Sequence, residues 1–251
     1  MIIERSEHPE WLSNTFLVAD APGGTAVLID AGGPVGPLLD RINELDVALE
    51  AVLLTHHHWD HVAELEAILE AHPGIPVLAH PTERAAMEAM GKASTGDLVP
   101  NTTITFGDLS FELLLTPGHT AGMIALLLNG SDVFTGDTLF RGSVGGVRAP
   151  GHTTFEDLRD SVMEVLLKLP PETVIQPGHK EPTTVKAELE DNEFVRIWLG
   201  LDDEGTGTCK VNDEAADLIL LGPDYDGGHK AWVRWPDGSD DLVPGSIVEP
   251  D

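Results

Sequence analysis

The sequence predicts an α/β (α+β) fold in which two β-sheets pack together with helices outside, followed by a small β-rich appendage. The predicted helices come between short groups of strands rather than after every strand, which favours packed sheets over a barrel of parallel strands. After Leu201 the helical segments give way to short apolar runs separated by Gly, Pro and Asp. We therefore expect a main domain at residues 1–201 and an appendage at residues 202–251.

Each predicted strand is a short apolar run that ends at turn residues, and each predicted helix carries apolar residues at helical spacing. Strands of the main domain are expected at residues 1–5, 14–19, 25–29, 51–54, 75–79, 102–106, 109–116, 122–128, 132–135 and 173–176. Helices are expected at residues 38–45, 62–71, 81–90, 154–169 and 185–199. Appendage strands are expected at residues 216–221, 230–235 and 242–248, with a hairpin turn at 236–238. Residues 142–151 contain four glycines and one proline, which predicts a loop.

The composition is that of a globular protein from a reducing compartment. Hydrophobic residues make up 41% of the 251 residues, enough for a sizeable core. Cys209 is the one cysteine, so the chain forms no internal disulfide. Residues 1–11 lack the apolar segment of a signal peptide, and no apolar run approaches the roughly 20 residues of a membrane helix. We expect a cytoplasmic protein.

The net charge of −29 limits the classes of partner. It arises from 14 basic against 43 acidic residues, whereas binding to nucleic acid or to an anionic membrane requires clustered Lys and Arg. The expected partner is a small-molecule substrate, and composition leaves the oligomeric state open. Arg141 and Arg148 follow Asp137 along the chain, and Lys180 follows His179. Because Asp137 and His179 are candidate metal ligands, the three basic residues are candidate substrate-binding cations.

The segment around which the chain is organised reads THHHWDH at residues 55–61. It lies between a predicted buried strand and a predicted helix. His56 and His58 are two residues apart in extended chain and point to the same side, whereas Asp60 and His61 lie at the helix start. Asp60 could simply be a helix N-cap. However, three histidines in this cluster would repel one another as cations, so we expect a metal site here.

Three further stretches place Gly and then a metal-binding residue directly after an apolar strand. They supply His119 from a Pro-Gly-His sequence, Asp137 from Gly-Asp-Thr, and His179 from a second Pro-Gly-His. Together with the first cluster they make seven candidate ligands, more than one tetrahedral ion uses. Seven ligands suit two ions roughly 3.5–4 Å apart. Asp137 is the natural bridge, because a carboxylate has two oxygens.

These motifs resemble the metallo-β-lactamase superfamily, and within it the glyoxalase II (hydroxyacylglutathione hydrolase) branch. The resemblance rests on THHHWDH at 55–61, PGHT at 117–120, GDTLF at 136–140 and PGHKEPTT at 177–184. It implies a four-layer αββα sandwich with the metal site on one edge. It also implies the ligand assignment: His56, His58 and His119 for one metal, Asp60, His61 and His179 for the other, and Asp137 as the bridge. Asp30 matches an aspartate that supports the site from behind.

The resemblance implies a dinuclear metal hydrolase of a thioester, in which a metal-bridging hydroxide attacks the carbonyl carbon, with Asp60 and Asp137 as catalytic residues. The expected metals are two divalent ions, zinc first, with iron or manganese as alternatives. A thiolate leaving group needs no separate acid, which suits a chain whose one tyrosine, Tyr225, is expected far from the ligands. The alternatives are a mono-iron persulfide dioxygenase, which differs more at Trp59 and after Phe140, and a lactonase of the same superfamily.

The chain departs from glyoxalase II proteins in two places that bind glutathione there. Residues 141–148 differ from the glutathione-contacting segment, and the appendage replaces a helical domain. Trp232 and Trp235 are expected to form the core of the appendage. The alternative is that the appendage folds over the metal edge and narrows the pocket. Lys210, Lys230 and Arg234 then suggest an anionic substrate tail nearby.

Overall fold

The computed structural model of the protein describes all 251 residues. The strands are β1 Ile2–Glu7, β2 Asn14–Ala19, β3 Thr25–Ile29, β4 Ala48–Leu53, β5 Val77–Ala79, β6 Gly96–Asp97, β7 Thr103–Phe106, β8 Leu109–Leu115, β9 Ile124–Leu128, β10 Asp132–Gly136, β11 Leu139–Phe140, β12 Ser143–Val144, β13 Val174–Pro177, β14 Thr183–Thr184, β15 Gly207–Val211, β16 Glu214–Pro223, β17 His229–Arg234, β18 Asp240–Pro244 and β19 Val248–Pro250. The helices are α1 Gly36–Leu45, α2 Trp59–Val62, α3 Leu65–Ala71, α4 Arg84–Ala89, α5 Phe155–Asp160, α6 Val185–Asp191 and α7 Glu193–Trp198. No helix is both long and apolar enough to cross a bilayer.

The strands form two six-stranded sheets, a short hairpin and a third sheet. The first sheet has the order β1-β2-β3-β4-β5-β6, antiparallel up to β3 and parallel from β3 to β6. The second has the order β14-β13-β10-β9-β8-β7, in which β10 and β13 are parallel. Strands β11 and β12 pair with each other. The third sheet is antiparallel, with the order β18-β17-β16-β15-β19.

The alternation of side chains along β2 shows how the layers stack. Phe16 and Val18 pack between the two large sheets, with Phe111 and Phe134 of the second sheet in the same cluster. Leu17 and Ala19 face the other way and pack with apolar residues of α1 and α3. Helices α5 to α7 cover the outer face of the second sheet. This confirms the αββα sandwich.

The third sheet packs on the helices that cover the second sheet. Ile219, Trp232 and Leu242 belong to the same buried cluster as Phe155 and Phe194. The other face of the third sheet has a small core of its own, consisting of Cys209, Val211, Ala216, Ala231, Val233 and Val243. Trp232 is thus a core residue, as predicted, but its core is shared with the sandwich. The division at residue 201 stays a prediction.

The structure differs from the predicted elements in several short strands, in interrupted helices, and in the third sheet, where β15 and β19 were not predicted. The predicted helix at residues 185–199 is two helices, because the Asn192 side chain accepts hydrogen bonds from the Phe194 and Val195 amides and caps α7. The predicted helix at residues 62–71 is likewise divided into α2 and α3. Strands β6, β11, β12 and β14 have two residues each, too few to show a periodicity. The predicted loop at residues 142–151 contains β12.

Candidate metal centre

All seven candidate ligands lie at one edge of the sandwich because of strand direction. Strands β8, β10 and β13 run in the same sense, so His119, Asp137 and His179 follow strand ends at a common edge. The cluster at residues 56–61 follows β4 in the facing sheet. The close approach requires glycine at Gly178, where a Cβ atom would lie 2.3 Å from Asp137 Oδ1.

The first group of ligand atoms belongs to His56, His58 and His119. The Nδ1 atom of His58 lies 3.1 Å from His56 Nε2 and 2.8 Å from His119 Nε2. The three nitrogens lie within 4.8 Å of one another, close enough to bind one ion. His56 is buried and His58 is partly exposed, so the group lies at the floor of an opening to solvent.

The second group belongs to Asp60, His61 and His179, and Asp137 lies between the two groups. Asp60 Oδ2 is 3.4 Å from His179 Nε2 and 3.8 Å from His61 Nε2. Asp137 Oδ1 is 3.2 Å from His61 Nε2, and its Oδ2 is 3.2 Å from His179 Nε2 and 3.4 Å from His119 Nε2. The Asp137 carboxylate therefore contacts members of both groups.

Backbone oxygens orient the histidine rings so that their lone pairs face the cluster. His119 Nδ1 donates to Gly146 O at 2.8 Å, His58 Nε2 to Pro150 O at 2.8 Å, and His179 Nδ1 to Trp11 O at 3.0 Å. A carbonyl oxygen only accepts, so these nitrogens carry the proton and the other ring nitrogen carries a lone pair. Lone pairs that converge at 2.8 Å repel unless a cation or proton lies between them. The donor set therefore fits metal ions, with the outer hydrogen bonds typical of ligating histidines.

Two buried ligand atoms lack a hydrogen-bond partner. They are His61 Nε2 and Asp137 Oδ1, both directed into the cluster. Buried polar atoms without a partner are rare and costly in native proteins. Two ions shared by imidazole and carboxylate ligands would satisfy both atoms, which is a second observation in favour of a metal centre.

The electrostatics of the cluster keep His56 and His119 neutral and Asp137 ionised. Burial lowers the pKa of His119 to about 4 and holds the pKa of His56 well below its usual value. Burial would raise the pKa of Asp137, but His179 and His61 outweigh burial and hold it well below its usual value. Burial opposes a charge on His61, yet Asp137 and Asp30 raise its pKa well above the ordinary range. Neutral imidazole and ionised carboxylate are the forms that bind metals.

A family model of the metallo-beta-lactamase superfamily matches residues 8–179 of the chain. The chain belongs to the metallo-β-lactamase superfamily. Hydroxyacylglutathione hydrolase GloC of Haemophilus influenzae is 32% identical over 186 residues, which cover 68% of this chain and 87% of that protein. The two matches confirm the resemblance seen in the motifs, and the match of the family model ends at residue 179, before the third sheet begins.

Solved structures support the same membership. The crystal structure of ETHE1 from Myxococcus xanthus superposes with a TM-score of 0.67 and 30% identity, covering 80% of this chain and 92% of that one. The crystal structure of TTHA1623 in a di-iron-bound form gives a TM-score of 0.61 and 35% identity, covering 76% of this chain and 99% of that one. Each of the two structures therefore leaves a fifth or more of this chain without a counterpart.

Asp30 contacts His61 on the side of the ring that faces away from Asp137, and its predicted role in supporting the site stays a prediction. His61 Nδ1 lies 2.9 Å from Asp30 Oδ2. The Thr55 amide donates to Asp30 Oδ1 at 2.8 Å, and its hydroxyl donates to Oδ2 at 2.8 Å. Thr55 was not singled out from the sequence, although it immediately precedes the cluster. These bonds fix the His61 ring with Nε2 toward Asp137.

We expect Asp30→Asn to weaken metal binding at the group formed by Asp60, His61 and His179. The amide offers one acceptor oxygen where the carboxylate offers two, and its NH2 group opposes a donor. Loss of such an outer partner typically costs about 10–100-fold in metal affinity. Competition with a chromophoric chelator would measure the affinity of each site.

A matched control for this substitution is Asp46→Asn. Asp46 has a φ of 55°, close to the 57° of Asp30, but it is an exposed residue at the end of α1. Asparagine tolerates this left-handed conformation, so neither substitution strains the backbone. Equal chelator affinities for Asp30→Asn and Asp46→Asn would contradict the supporting role of Asp30.

The three predicted substrate-binding cations lie in different places. Arg148 lines a cavity beside His119 and Asp137. Arg141 lines a separate cavity with Glu188, and Lys180 forms an ion pair with Glu7 at 3.1 Å. Their substrate-binding role stays a prediction, and among the three only Arg148 borders the metal centre.

The expectation that Tyr225 lies far from the ligands was wrong. Its ring stacks on His179, with the centroids 4.2 Å apart at an interplanar angle of 25°. Phe140 packs against the same tyrosine at 4.7 Å. Burial and the nearby Asp137 raise the pKa of Tyr225, so its hydroxyl keeps its proton. Sequence reasoning missed this contact because it depends on how the third sheet packs.

The third sheet supplies one wall of the cavity next to the metal centre, in line with the alternative expectation for the appendage. The cavity has a volume of about 230 Å³. Its lining residues are His119, Asp137, Phe140, Gly146, Arg148, Ala149, Asp224, Tyr225, Lys230, Leu242, Val243 and Pro244. The appendage therefore both shares the core of the sandwich and borders the candidate site.

Proposed function

We propose that this superfamily member is a dinuclear metal-dependent hydrolase of thioesters. The observation that carries the proposal is the position of Asp137 between two complete groups of three ligands. A protein with one ion would require only one of these groups. Instead, Asp60, His61 and His179 are as closely assembled as His56, His58 and His119.

The residues of the chain have distinct roles in this proposal. Divalent ions held by the two groups would lower the pKa of a bound water molecule so that hydroxide is available at neutral pH to attack a carbonyl, and would supply positive charge for the developing oxyanion. Asp137 holds the two sites at a fixed separation. The Asp60 side chain is 29% exposed and therefore accessible to water, so its carboxylate can orient the attacking water and accept a proton.

The thioester is the favoured substrate class because of the motifs shared with glyoxalase II proteins and the similarity to the hydrolase GloC. A thiolate leaves without an acid. The chain is not without a candidate acid near the ligands, however, because the Tyr225 ring stacks on His179. A protonated tyrosine can assist an alkoxide leaving group, and this observation makes a lactone the second candidate substrate.

Zinc is the proposed metal, with iron or manganese as alternatives. Imidazole and carboxylate ligands suit zinc and iron alike. The relative solved in a di-iron-bound form shows that a member of this superfamily with 35% identity holds two ions. Elemental analysis of the purified protein would give both the metal and its stoichiometry.

The proposed function is tested by assaying a panel of thioesters, lactones and a glutathione persulfide side by side with oxygen uptake. We expect thioester hydrolysis with two metal ions per chain and no oxygen consumption. Oxygen uptake with persulfide, one iron per chain and no thioester turnover would instead establish the dioxygenase alternative. If the protein hydrolyses only lactones, the substrate is the second candidate, a lactone, and not a thioester.

A further inference from the structure

The cavity of about 230 Å³ beside the metal centre combines an apolar wall with cations that are already neutralised. Phe140, Leu242, Val243 and Pro244 are among its apolar lining residues. A cavity of about 150 Å³ holds benzene, so this volume accommodates a group of roughly eight heavy atoms. Because His119 and Asp137 also line it, a group bound there lies directly against the candidate reaction centre.

The two cations of the cavity are bound to carboxylates of the C-terminal segment, Asp241 in β18 and Asp224 in the turn between β16 and β17. Arg148 donates from Nε and from its terminal nitrogen to Asp241 Oδ2, at 2.9 and 2.6 Å, and its guanidinium lies 5.6 Å from the Trp235 ring centroid. Lys230 pairs with Asp224 at 3.1 Å and donates to the Val144 carbonyl. An anionic ligand would have to compete with these pairs.

The surroundings also disfavour an anion. Lys230 is paired with Asp224 and Arg148 with Asp241, so neither cation of the cavity wall is free to bind an anion. A carboxylate in the cavity would therefore have no cationic side chain of the wall as a partner, in a chain whose net charge is −29. The Tyr225 hydroxyl is the one polar side-chain group of the wall that makes no hydrogen bond within the chain. It can donate to an uncharged oxygen.

We propose that this cavity is the acyl subsite, built by the third sheet and selective for short uncharged acyl groups. The proposal rests on the proposed hydrolase function and specifies its substrate. It replaces the expectation that basic residues of the appendage bind an anionic tail. Arg148 and Lys230 are fixed parts of the wall, and Asp241 is the residue that keeps Arg148 from binding anions.

The experiment compares butyryl and succinyl thioesters of one small thiol, N-acetylcysteamine. For the wild type we expect kcat/KM for butyryl to exceed that for succinyl by roughly a hundredfold, given the cost of an unpaired buried charge. Asp241→Asn leaves Arg148 without its ion pair. We therefore expect this substitution to lower the ratio of kcat/KM for butyryl to kcat/KM for succinyl about tenfold. Adding Arg148→Met to Asp241→Asn should restore the discrimination.

The control is Asp240→Asn. Asp240 neighbours Asp241 but pairs with Arg234, which does not line the cavity. This control should leave the butyryl-to-succinyl ratio unchanged, and thermal unfolding would verify that every variant is folded. A wild type that hydrolyses both thioesters equally well, or an Asp241→Asn ratio equal to that of Asp240→Asn, would overturn the proposal.

Binding of non-hydrolysable thioethers separates this inference from the proposed function. Calorimetry would compare an S-butyl with an S-(3-carboxypropyl) thioether on the metal-loaded protein. Tighter binding of the butyl compound, with the preference reduced by Asp241→Asn, supports the subsite even if no thioester is hydrolysed. Equal binding of both compounds overturns the subsite even if thioesters are hydrolysed.

Discussion

Replacing Asp137 with alanine is expected to lower the metal content from two ions per chain to at most one and to lower kcat/KM roughly a thousandfold or more, corresponding to about 4 kcal/mol. Asp137 is the only carboxylate in contact with ligands of both groups. Its removal takes away the one carboxylate that contacts His61, His119 and His179 together. Elemental analysis and thioester kinetics would measure the two effects.

The control for this prediction is Asp132→Ala. Asp132 begins the same strand that ends before Asp137, and it accepts a hydrogen bond from Gln176 at 3.1 Å. It lies at the opposite end of β10 from the metal centre, so the variant should keep both metals and its activity. An Asp137→Ala protein with two bound ions and wild-type turnover would rule out the bridging role.

Trp232→Ala is expected to lower the free energy of unfolding by about 3–5 kcal/mol, the usual cost of truncating a buried aromatic residue. Trp232 is 4% exposed, and its ring lies 5.3 Å from that of Phe155 and 6.2 Å from that of Trp198. These contacts join the third sheet to the helices of the sandwich. Urea denaturation monitored by circular dichroism would give the change in free energy.

An exposed tryptophan provides the comparison. Trp59 is 48% exposed, and Trp59→Ala should cost no more than about 1 kcal/mol. A similar loss of stability in both variants would show that Trp232 does not stabilise the protein through the core that the third sheet shares with the helices. Deleting residues 205–251 is a less informative test, because it would expose the apolar face that Ile219, Trp232 and Leu242 cover.

The layered fold and the clustering of the candidate ligands were predictable because each rests on a local signal. Buried strands are visible in the sequence as apolar runs, and candidate ligands such as His119 and Asp137 follow the ends of these runs. Parallel neighbours then bring strand ends to one edge. The ligand assignment itself came from the resemblance to a family, since spacing alone does not say which histidine pairs with which metal.

The surroundings of the site were not predictable for a physical reason. The acceptors that orient the rings include the carbonyls of Trp11, Gly146 and Pro150, and every residue has a carbonyl group. Nothing in the sequence distinguishes these three. The contact of Tyr225 with His179 likewise depends on long-range packing of a sheet that the family model does not cover.

The loop at residues 145–151 connects the third sheet to the histidines of the first ligand group. Its carbonyls at Gly146 and Pro150 orient His119 and His58, while Arg148 in the same loop is held by Asp241. The donor atoms thus come from segments that are far apart in the chain, and bringing such segments together costs loop-closure entropy. The binding geometry exists only after both sheets and the C-terminal strands have assembled. We therefore expect metal binding to report completed folding and to stabilise the native chain to the extent that the ions bind it more tightly than the unfolded chain.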